Sequence, residues 1–312
     1  MNKKILVVIG GPTCVGKSEL CIKLAKYYDT EIISADSRQF YKELNIGVAK
    51  LSKKKLNTVK HYLINNSSVT KNYSIGKYIT DFTNISKELF KKKDIVFLCG
   101  GSGLYIESVC VGLDKIPKIK PGIREKLQEQ LKNNGLKNLT EQLKKYDFNS
   151  WKKIDLKNPR KVIRSLEIYL STKKPMSHFL NKRKKERIFD TLFIYLNDER
   201  EILHNKINKR VDEMISKGLE KEAKKILELN KKIMLDTIGY KEFYDYFNKK
   251  QSLDQTISLI KRNTRRYAKR QITWFKTKKF IEFSPNQIDG IKKLIEKKRE
   301  TKSSPFLFIN LK

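Results

Sequence analysis

The chain has 312 residues, with 69 Lys and Arg against 34 Asp and Glu, which gives a formal net charge of +35 at pH 7. This charge excludes an acidic protein that mimics a polyanion. Hydrophobic residues make up 39% of the chain, enough for a buried core, and no apolar run approaches the ~20 residues of a membrane span.

The N-terminus and the cysteines both indicate a cytoplasmic protein. Residues 1–9 resemble the start of a signal peptide, but their apolar stretch stops after five residues at Gly10. Cys14, Cys21, Cys99 and Cys110 form no C-x-x-C pair and have no His cluster nearby, so we expect reduced thiols, no zinc and no disulfide framework.

A short apolar segment at 4–9 predicts a buried strand, and 18–28 predicts a helix after it. The residues between them match the phosphate-binding pattern G-x-x-x-x-G-K-[ST] and are Gly11, Pro12, Thr13, Cys14, Val15, Gly16, Lys17 and Ser18. Backbone N–H groups of this loop would hold an anion, Lys17 would neutralise phosphate oxygens and Ser18 would reach Mg²⁺. The motif alone does not distinguish a triphosphate from a diphosphate, and the plainer alternative is a Gly-rich turn with an N-cap serine.

A second short strand is predicted at 31–34, and the polar residues 36–39 follow it. In a parallel sheet, ligands bind beyond the carboxyl ends of the strands, so Asp36 would lie beside the bound phosphates. A carboxylate there can accept a proton from an incoming nucleophile or orient it. A helix N-cap is the structural alternative for this residue.

The third predicted strand, at 94–99, ends in Gly100-Gly101-Ser102-Gly103. Ser102 would begin a helix, where its hydroxyl and N–H could hold a bridging oxygen or could simply cap the helix. No acidic residue stands at the end of this strand to serve as the usual second magnesium ligand of an ATP hydrolase. This absence argues against an ATPase or a motor.

From about residue 114 the sequence becomes more basic and more helical. Segments 123–146 and 159–171 predict basic amphipathic helices, 192–196 predicts a strand that returns to the sheet, and 199–229 and 253–275 predict further helices. We therefore predict an α/β fold with a P-loop NTPase-like parallel sheet core in 1–113, a small all-helical insertion domain in 114–187, and a helix-rich C-terminal part in 188–312.

The positive charge is denser in the C-terminal part. Residues 1–113 hold 18 basic and 9 acidic side chains, a net +9, whereas 114–312 hold 51 and 25, a net +26. Residues 261–279 contain nine Lys or Arg and no acid. On a helix, one side would carry Arg262, Arg266, Lys269 and Arg270. Such a stripe suits a nucleic-acid backbone, although codon bias toward lysine and a solvated helix face are the alternatives.

The ordered set of motifs resembles that of the tRNA dimethylallyltransferases, also called tRNA isopentenyltransferases, over nearly the whole chain. These motifs are the phosphate loop 11–18, Ile-Ser-Ala-Asp-Ser-Arg-Gln-Phe-Tyr at 33–41, Gly-Val-Ala-Lys at 47–50, Gly-Gly-Ser-Gly-Leu-Tyr at 100–105, and the segments 158–167, 239–243 and 268–274. No zinc-finger extension follows the core, which favours the bacterial type.

The resemblance implies an enzyme that uses the phosphate loop for dimethylallyl diphosphate, with Mg²⁺, and a helical insertion that grips the anticodon stem of tRNA. It would transfer the dimethylallyl group to N6 of the adenosine 3′ to the anticodon and release diphosphate. Asp36 would take or orient the N6 proton, and Ser102, at the family's Thr position, would contact the diphosphate or the acceptor. The tRNA-binding residues would be Asp36, Ser37, Arg38, Gln39, Ser102, Arg124, Arg160, Lys161, Val162, Ile163 and Arg164.

We expect a cytoplasmic monomer that does not bind membranes. The alternatives are a small-molecule or nucleotide kinase, which would use the same loop for ATP, and an adenylate prenyltransferase, which would act on free nucleotide. Neither of these needs the basic C-terminal half, and a non-catalytic RNA-binding protein would not need Asp36 beside a phosphate loop.

Overall fold

The computed structural model describes residues 3–114, 116–180 and 187–301. The strands are β1 (Ile5–Gly10), β2 (Ile32–Ser34), β3 (His61–Tyr62), β4 (Ile95–Cys99), β5 (Asp190–Leu196) and β6 (Ile281–Phe283). The helices are α1 (Lys17–Tyr27), α2 (Lys53–Leu56), α3 (Ile75–Lys92), α4 (Gly103–Cys110), α5 (Ile123–Tyr146), α6 (Phe148–Lys153), α7 (Pro159–Thr172), α8 (Met176–Phe179), α9 (Arg200–Ser216), α10 (Leu219–Leu229), α11 (Lys231–Leu235), α12 (Phe243–Phe247), α13 (Leu253–Lys276) and α14 (Ile288–Glu300). Within these ranges no helix is long and apolar enough to cross a membrane.

All six strands form one parallel sheet in the order β3-β2-β4-β1-β5-β6. This confirms the predicted α/β fold. The central strand β1 is buried along its whole length, because helices cover both faces of the sheet, and this explains its continuous apolar sequence. The edge strands β3 and β6 have only two and three residues, too short to give a period-2 pattern, and the sequence did not predict them.

Alternate residues of β1 belong to two separate hydrophobic clusters. Leu6 and Val8 pack on one face of the sheet, whereas Ile5, Val7 and Ile9 pack on the other. The register pairs Ile9 with both Cys99 of β4 and Ile194 of β5. The carboxyl ends of these three neighbouring strands therefore meet at one edge of the sheet.

The chain divides into two compact units. Unit 1 is Met1–Cys110 with Arg187–Lys312, and unit 2 is Val111–Glu186, close to the 114–187 expected for the insertion. Unit 2 has its own small core, which α5 and α7 build from Leu127, Leu139, Leu143, Val162, Ile163 and Leu166.

Two of the predicted helices are interrupted at glycines. The segment 123–146 bends at Gly135, which has φ 73° and ψ 174°, so α5 is two helical pieces rather than one. The segment 199–229 breaks into α9 and α10 at Gly218, where φ is 90°. Both residues have a positive φ, which glycine adopts without a steric cost.

Candidate functional site

The phosphate loop lies between β1 and α1, at the edge where the strands end. Gly11 has φ 143°, and a Cβ there would lie 2.5 Å from the carbonyl oxygen of Leu196, so only glycine fits. Lys17 donates a hydrogen bond to the carbonyl of Pro12 at 2.6 Å. Burial lowers the pKa of the Lys17 amine, while the nearby Cys99 and Asp36 oppose that shift. A bound phosphate would further favour the charged ammonium form.

Thr13 in this loop is held by two residues to which the sequence assigned no role. The side chain of Gln271 on α13 accepts a hydrogen bond from the Thr13 N–H at 2.9 Å and donates one to the Gly101 carbonyl at 2.9 Å. Arg210 on α9 donates to the Thr13 hydroxyl at 3.3 Å. Gln271 thus joins the phosphate loop to the turn after β4, and Arg210 brings a second cation to the loop.

Asp36 follows β2, as its position after a predicted strand indicated. One of its carboxylate oxygens accepts the backbone N–H of Arg38 at 2.9 Å. Burial raises the pKa of this carboxyl above its ordinary value, and the nearby Lys17 ammonium partly opposes the rise. The group therefore takes up a proton more readily than an exposed aspartate does, which suits a general base.

Ser102 occupies the turn before α4 and accepts helical N–H groups of Tyr105 and Ile106 through its carbonyl. Its hydroxyl accepts the N–H of Ser37 at 3.0 Å, so Ser102 links the segment after β4 to the segment after β2. Burial and the nearby Asp36 raise the pKa of the Tyr267 hydroxyl to about 12, despite a hydrogen bond with Ser102. Ser102 therefore stands at the start of α4, and its hydroxyl fixes the backbone next to Asp36.

Two adjoining cavities open at this edge. The first, about 160 Å³, is lined by the phosphate loop residues Gly16, Lys17 and Ser18. The second, about 210 Å³, has a largely apolar wall on one side, formed by Ile207, Val211, Met214 and Ile260. Both are lined by Thr13, Asp36, Val48, Ala49 and Arg210. The structure therefore puts one carboxylate and one guanidinium at the boundary between a phosphate site and a second site.

The loop that carries Val48 and Ala49 is anchored by a carboxylate from a distant helix. Glu222 on α10 accepts the backbone N–H groups of Asn45, Ile46 and Gly47 at 2.9 to 3.2 Å, and the hydroxyl of Tyr240 at 2.7 Å. Charge-assisted hydrogen bonds of this kind are stronger than neutral ones. Glu222 thereby fixes the wall that the two cavities share.

The oxygen atoms beside Lys17 are suited to Mg²⁺ rather than to a soft metal. Ser18 lines the first cavity, and its hydroxyl offers a hard oxygen ligand. Within the described ranges no group of three or more His, Cys, Asp or Glu could hold a metal ion by itself.

In unit 2, two of the predicted tRNA-binding arginines converge on one buried acid. Arg124 on α5 and Arg164 on α7 both donate to the carboxylate of Glu167, whose side chain is 2% exposed, while the two arginines remain half exposed. Arg160 and Lys161 are exposed on α7. Glu167 therefore holds two of the cations in place without removing them from solvent.

The positions of the Val162 and Ile163 side chains differ from the prediction. They were expected at the tRNA surface, but their side chains are 0% and 6% exposed and pack in the core of unit 2. On a helix, a run of five consecutive residues cannot all face one ligand, because successive side chains are rotated by about 100°. The side chains left on the surface in this segment are those of Arg160, Lys161 and Arg164.

The basic stripe lies on α13 in unit 1, as predicted. The buried face of α13 includes Ile260, Ala268, Gln271 and Phe275. Arg262, Arg266 and Lys269 are exposed on the same helix. Tyr267 and Ile272 are half-buried. One helix therefore carries both a residue that holds the phosphate loop and a row of cations on its outer side.

Comparisons with known proteins agree with this arrangement. The model of the family described as IPP transferase matches residues 39–278. A tRNA dimethylallyltransferase of Christiangramia forsetii is 44% identical over 284 residues, which cover 90% of this chain and 94% of that protein. The crystal structure of a tRNA isopentenylpyrophosphate transferase from Bacillus halodurans is similar with a TM-score of 0.70 at 34% identity, covering 96% of this chain and 97% of the other. A eukaryotic dimethylallyltransferase acting on tRNA gives a TM-score of 0.78 at 26% identity, covering 97% and 82%.

Proposed function

Because this chain belongs to the IPP transferase family, we propose that it transfers a dimethylallyl group from dimethylallyl diphosphate to N6 of the adenosine 3′ to the anticodon in tRNA, releasing diphosphate. The observation that carries the proposal is the shared boundary of the two cavities, where Asp36 and Arg210 lie between a phosphate site and a second site. Such a boundary supports the proposal, because a donor in one cavity and an acceptor in the other would lie on either side of a base.

The donor would occupy the first cavity with its diphosphate on the loop 11–18. As the bond between the prenyl C1 and the diphosphate oxygen breaks, negative charge develops on the leaving group. The loop N–H groups, Lys17 and Arg210, which line this cavity, would stabilise that charge. This loop serves as well for a diphosphate as for a nucleotide, since backbone N–H groups bind any phosphate.

The acceptor adenine would enter the second cavity. A base that is stacked in the anticodon loop cannot reach such a cavity, so it must be turned out of the stack. N6 then forms the new bond to the prenyl C1 and loses a proton, which the carboxylate of Asp36 accepts. Ser102 acts through the backbone of Ser37 and is assigned here as a positioning residue beside Asp36.

Mg²⁺ would be held by the Ser18 hydroxyl. When bound, the ion supplies positive charge to the diphosphate. Arg124, Arg160, Lys161 and Arg164 of unit 2 would contact tRNA phosphates, together with the segment Asp36 to Gln39 of unit 1. A cytoplasmic location and a monomeric state stay predictions of the same proposal.

One assay separates the proposed reaction from its alternatives. The protein is incubated with labelled dimethylallyl diphosphate, Mg²⁺, and either unmodified tRNA or free AMP. Label in tRNA alone supports the proposal. Label in AMP would indicate an adenylate prenyltransferase, and phosphate transfer from ATP without prenyl transfer would indicate a kinase.

A further inference from the structure

The segment at 45–50 lies outside the strands and helices of unit 1, yet its residues Val48 and Ala49 line both cavities. Ala49 has φ 50°, a left-handed conformation that residues with a Cβ rarely adopt. Such a conformation persists only where the surrounding structure holds it. The contacts that hold this segment therefore decide where the shared wall of the two cavities lies.

One carboxylate holds three consecutive N–H groups of this segment. Glu222 on α10 accepts those of Asn45, Ile46 and Gly47 at 2.9 to 3.2 Å. Within the segment, the N–H of Ala49 donates to the carbonyl of Ile46 at 2.9 Å. The left-handed turn at Ala49 is thus built on a residue whose own N–H is held by Glu222.

A buried tyrosine holds the carboxylate in turn. Tyr240 is 0% exposed and donates its hydroxyl to Glu222 at 2.7 Å. Its ring lies against Gly47, where an added Cβ would be 2.5 Å from a ring carbon. Burial and the charge of Glu222 raise the pKa of the Tyr240 hydroxyl, so it remains a donor near neutral pH. Glu222 and Tyr240 therefore act as a pair on one backbone segment.

The same segment is tied to the residues that follow β2. The side-chain amide of Gln39 donates to the carbonyl of Val48 at 3.2 Å, and Gln39 also lines the first cavity. Glu222 and Tyr240 lie outside the described lining of the two cavities. Any effect of this pair on the reaction must therefore pass through the segment at 45–50.

We propose that Glu222 and Tyr240 are positioning residues for prenyl transfer, which hold the segment at 45–50 so that donor and acceptor meet beside Asp36. This inference rests on the proposed function for the reaction that is aligned. A misplacement of about 1 Å between aligned reactants can cost about 10²-fold in rate. The pair should therefore affect the rate of transfer more than the binding of either substrate.

The test compares variants of this pair with variants of a second pair that also includes α10. Glu222→Gln turns an amide NH₂ toward backbone N–H groups that need an acceptor, whereas Tyr240→Phe removes only the hydroxyl. The controls are Glu220→Gln and Tyr246→Phe, since the Tyr246 hydroxyl donates to Glu220 at 3.2 Å. Glu220 and Tyr246 likewise lie outside the described lining of the two cavities.

The transfer rate is measured in a single turnover with both substrates saturating, which separates transfer from binding and product release. We expect Glu222→Gln to lower this rate by about 10- to 100-fold and Tyr240→Phe by about 3- to 10-fold. The KM for dimethylallyl diphosphate and the Kd for tRNA should stay within about threefold of wild type, and the controls should transfer at the wild-type rate. In the double variant, the effect of Tyr240→Phe should largely disappear, because the hydroxyl acts through the carboxylate.

Urea unfolding corrects each rate for the fraction of folded protein. Equal corrected rates for the pair and the control variants would overturn the proposal and leave Glu222 and Tyr240 with a stabilising role. A rate that a higher concentration of one substrate restores would also overturn it, because the pair would then belong to that substrate's binding site. If Glu222→Gln does not fold, Tyr240→Phe decides between these outcomes.

Hydrogen exchange tests the same contacts without turnover. The amides of 45–47 should exchange faster in Glu222→Gln than in Glu220→Gln, because they lose their acceptor. Equal exchange in the two variants would overturn the proposal. Failure of the proposed function would look different: the wild-type protein would put no label into tRNA, whereas the exchange of these amides does not depend on turnover.

Discussion

Asp36 is the carboxylate that lines both cavities, so its replacement tests the chemistry most directly. Asp36→Asn keeps the side-chain size and removes the base, and we expect kcat to fall by about 10²- to 10⁴-fold. Binding of tRNA, measured by fluorescence anisotropy, should stay within a few-fold of wild type. A loss of tRNA binding as large as the loss of turnover would instead make Asp36 a positioning residue.

The raised pKa of Asp36 predicts the pH dependence of the reaction. The carboxylate must be ionised to accept the N6 proton, so activity falls as the pH drops through its pKa. Because burial raises that pKa, the acidic limb of kcat/KM for tRNA should lie above the ordinary aspartate value of 3.8. The measurement is a pH profile at saturating dimethylallyl diphosphate.

His61 also lines the first cavity and provides the control for this profile. Burial lowers the pKa of its imidazole, which moves its titration toward the same pH range. His61→Asn should leave the acidic limb in place, whereas Asp36→Asn should remove it. A limb that disappears in His61→Asn would assign the titration to the histidine.

At the scale of single residues, the sequence located the groups that follow a strand. Asp36, Ser102 and the phosphate loop were predicted at the sheet edge because parallel strands end on the same side, and the structure gathers them there. Gln271 and Arg210 were missed, since each reaches Thr13 from about 200 residues or more away. A signal for Gln271 existed: it lies on the apolar face of α13, where a buried amide needs partners.

At the scale of elements, the apolar runs predicted β1, β2, β4 and β5, and helical periodicity predicted α1, α7 and α13. The interruptions at Gly135 and Gly218 were missed, because a glycine inside a helical pattern looks the same whether or not the helix continues. The two cases differ only in the backbone conformation of the glycine, which has a positive φ at both positions. Nor could the sequence indicate that Glu222 of α10 holds the loop at 45–47.

Two glycines at element ends allow a prediction that separates strain from steric clash. Gly218 has φ 90°, and a Cβ added there would meet no atom within 4 Å, so Gly218→Ala costs only the left-handed conformation, about 1 to 2 kcal/mol. At Gly100 a Cβ would lie 2.2 Å from the carbonyl oxygen of Ala35, so Gly100→Ala must displace backbone and should cost about 3 kcal/mol or more. Urea unfolding measures both, and equal costs would contradict the described packing after β4.

At the scale of the whole molecule, the net charge of +35 has two components. One is structured: Arg124 and Arg164 are oriented by Glu167, and the cations of α13 line a groove. The other is spread over exposed lysines such as Lys221, Lys224 and Lys225, which fit the expected codon bias. The amino-acid composition gives only the total net charge, because the division into these two components depends on which side chains share a surface.

The excess charge also predicts how stability depends on salt. Like charges repel one another in the folded state more than in the expanded unfolded chain, and salt screens that repulsion. Raising NaCl from low to physiological concentration should therefore raise the melting temperature, by about 2 to 4 °C if screening recovers 1 kcal/mol. A variant of α10 with Lys221→Gln, Lys224→Gln and Lys225→Gln has three fewer positive charges, so it should melt higher at low salt and respond less to added NaCl. A melting temperature that falls with salt would mean that the ion pairs of the fold outweigh its repulsions, because screening would then remove more attraction than repulsion.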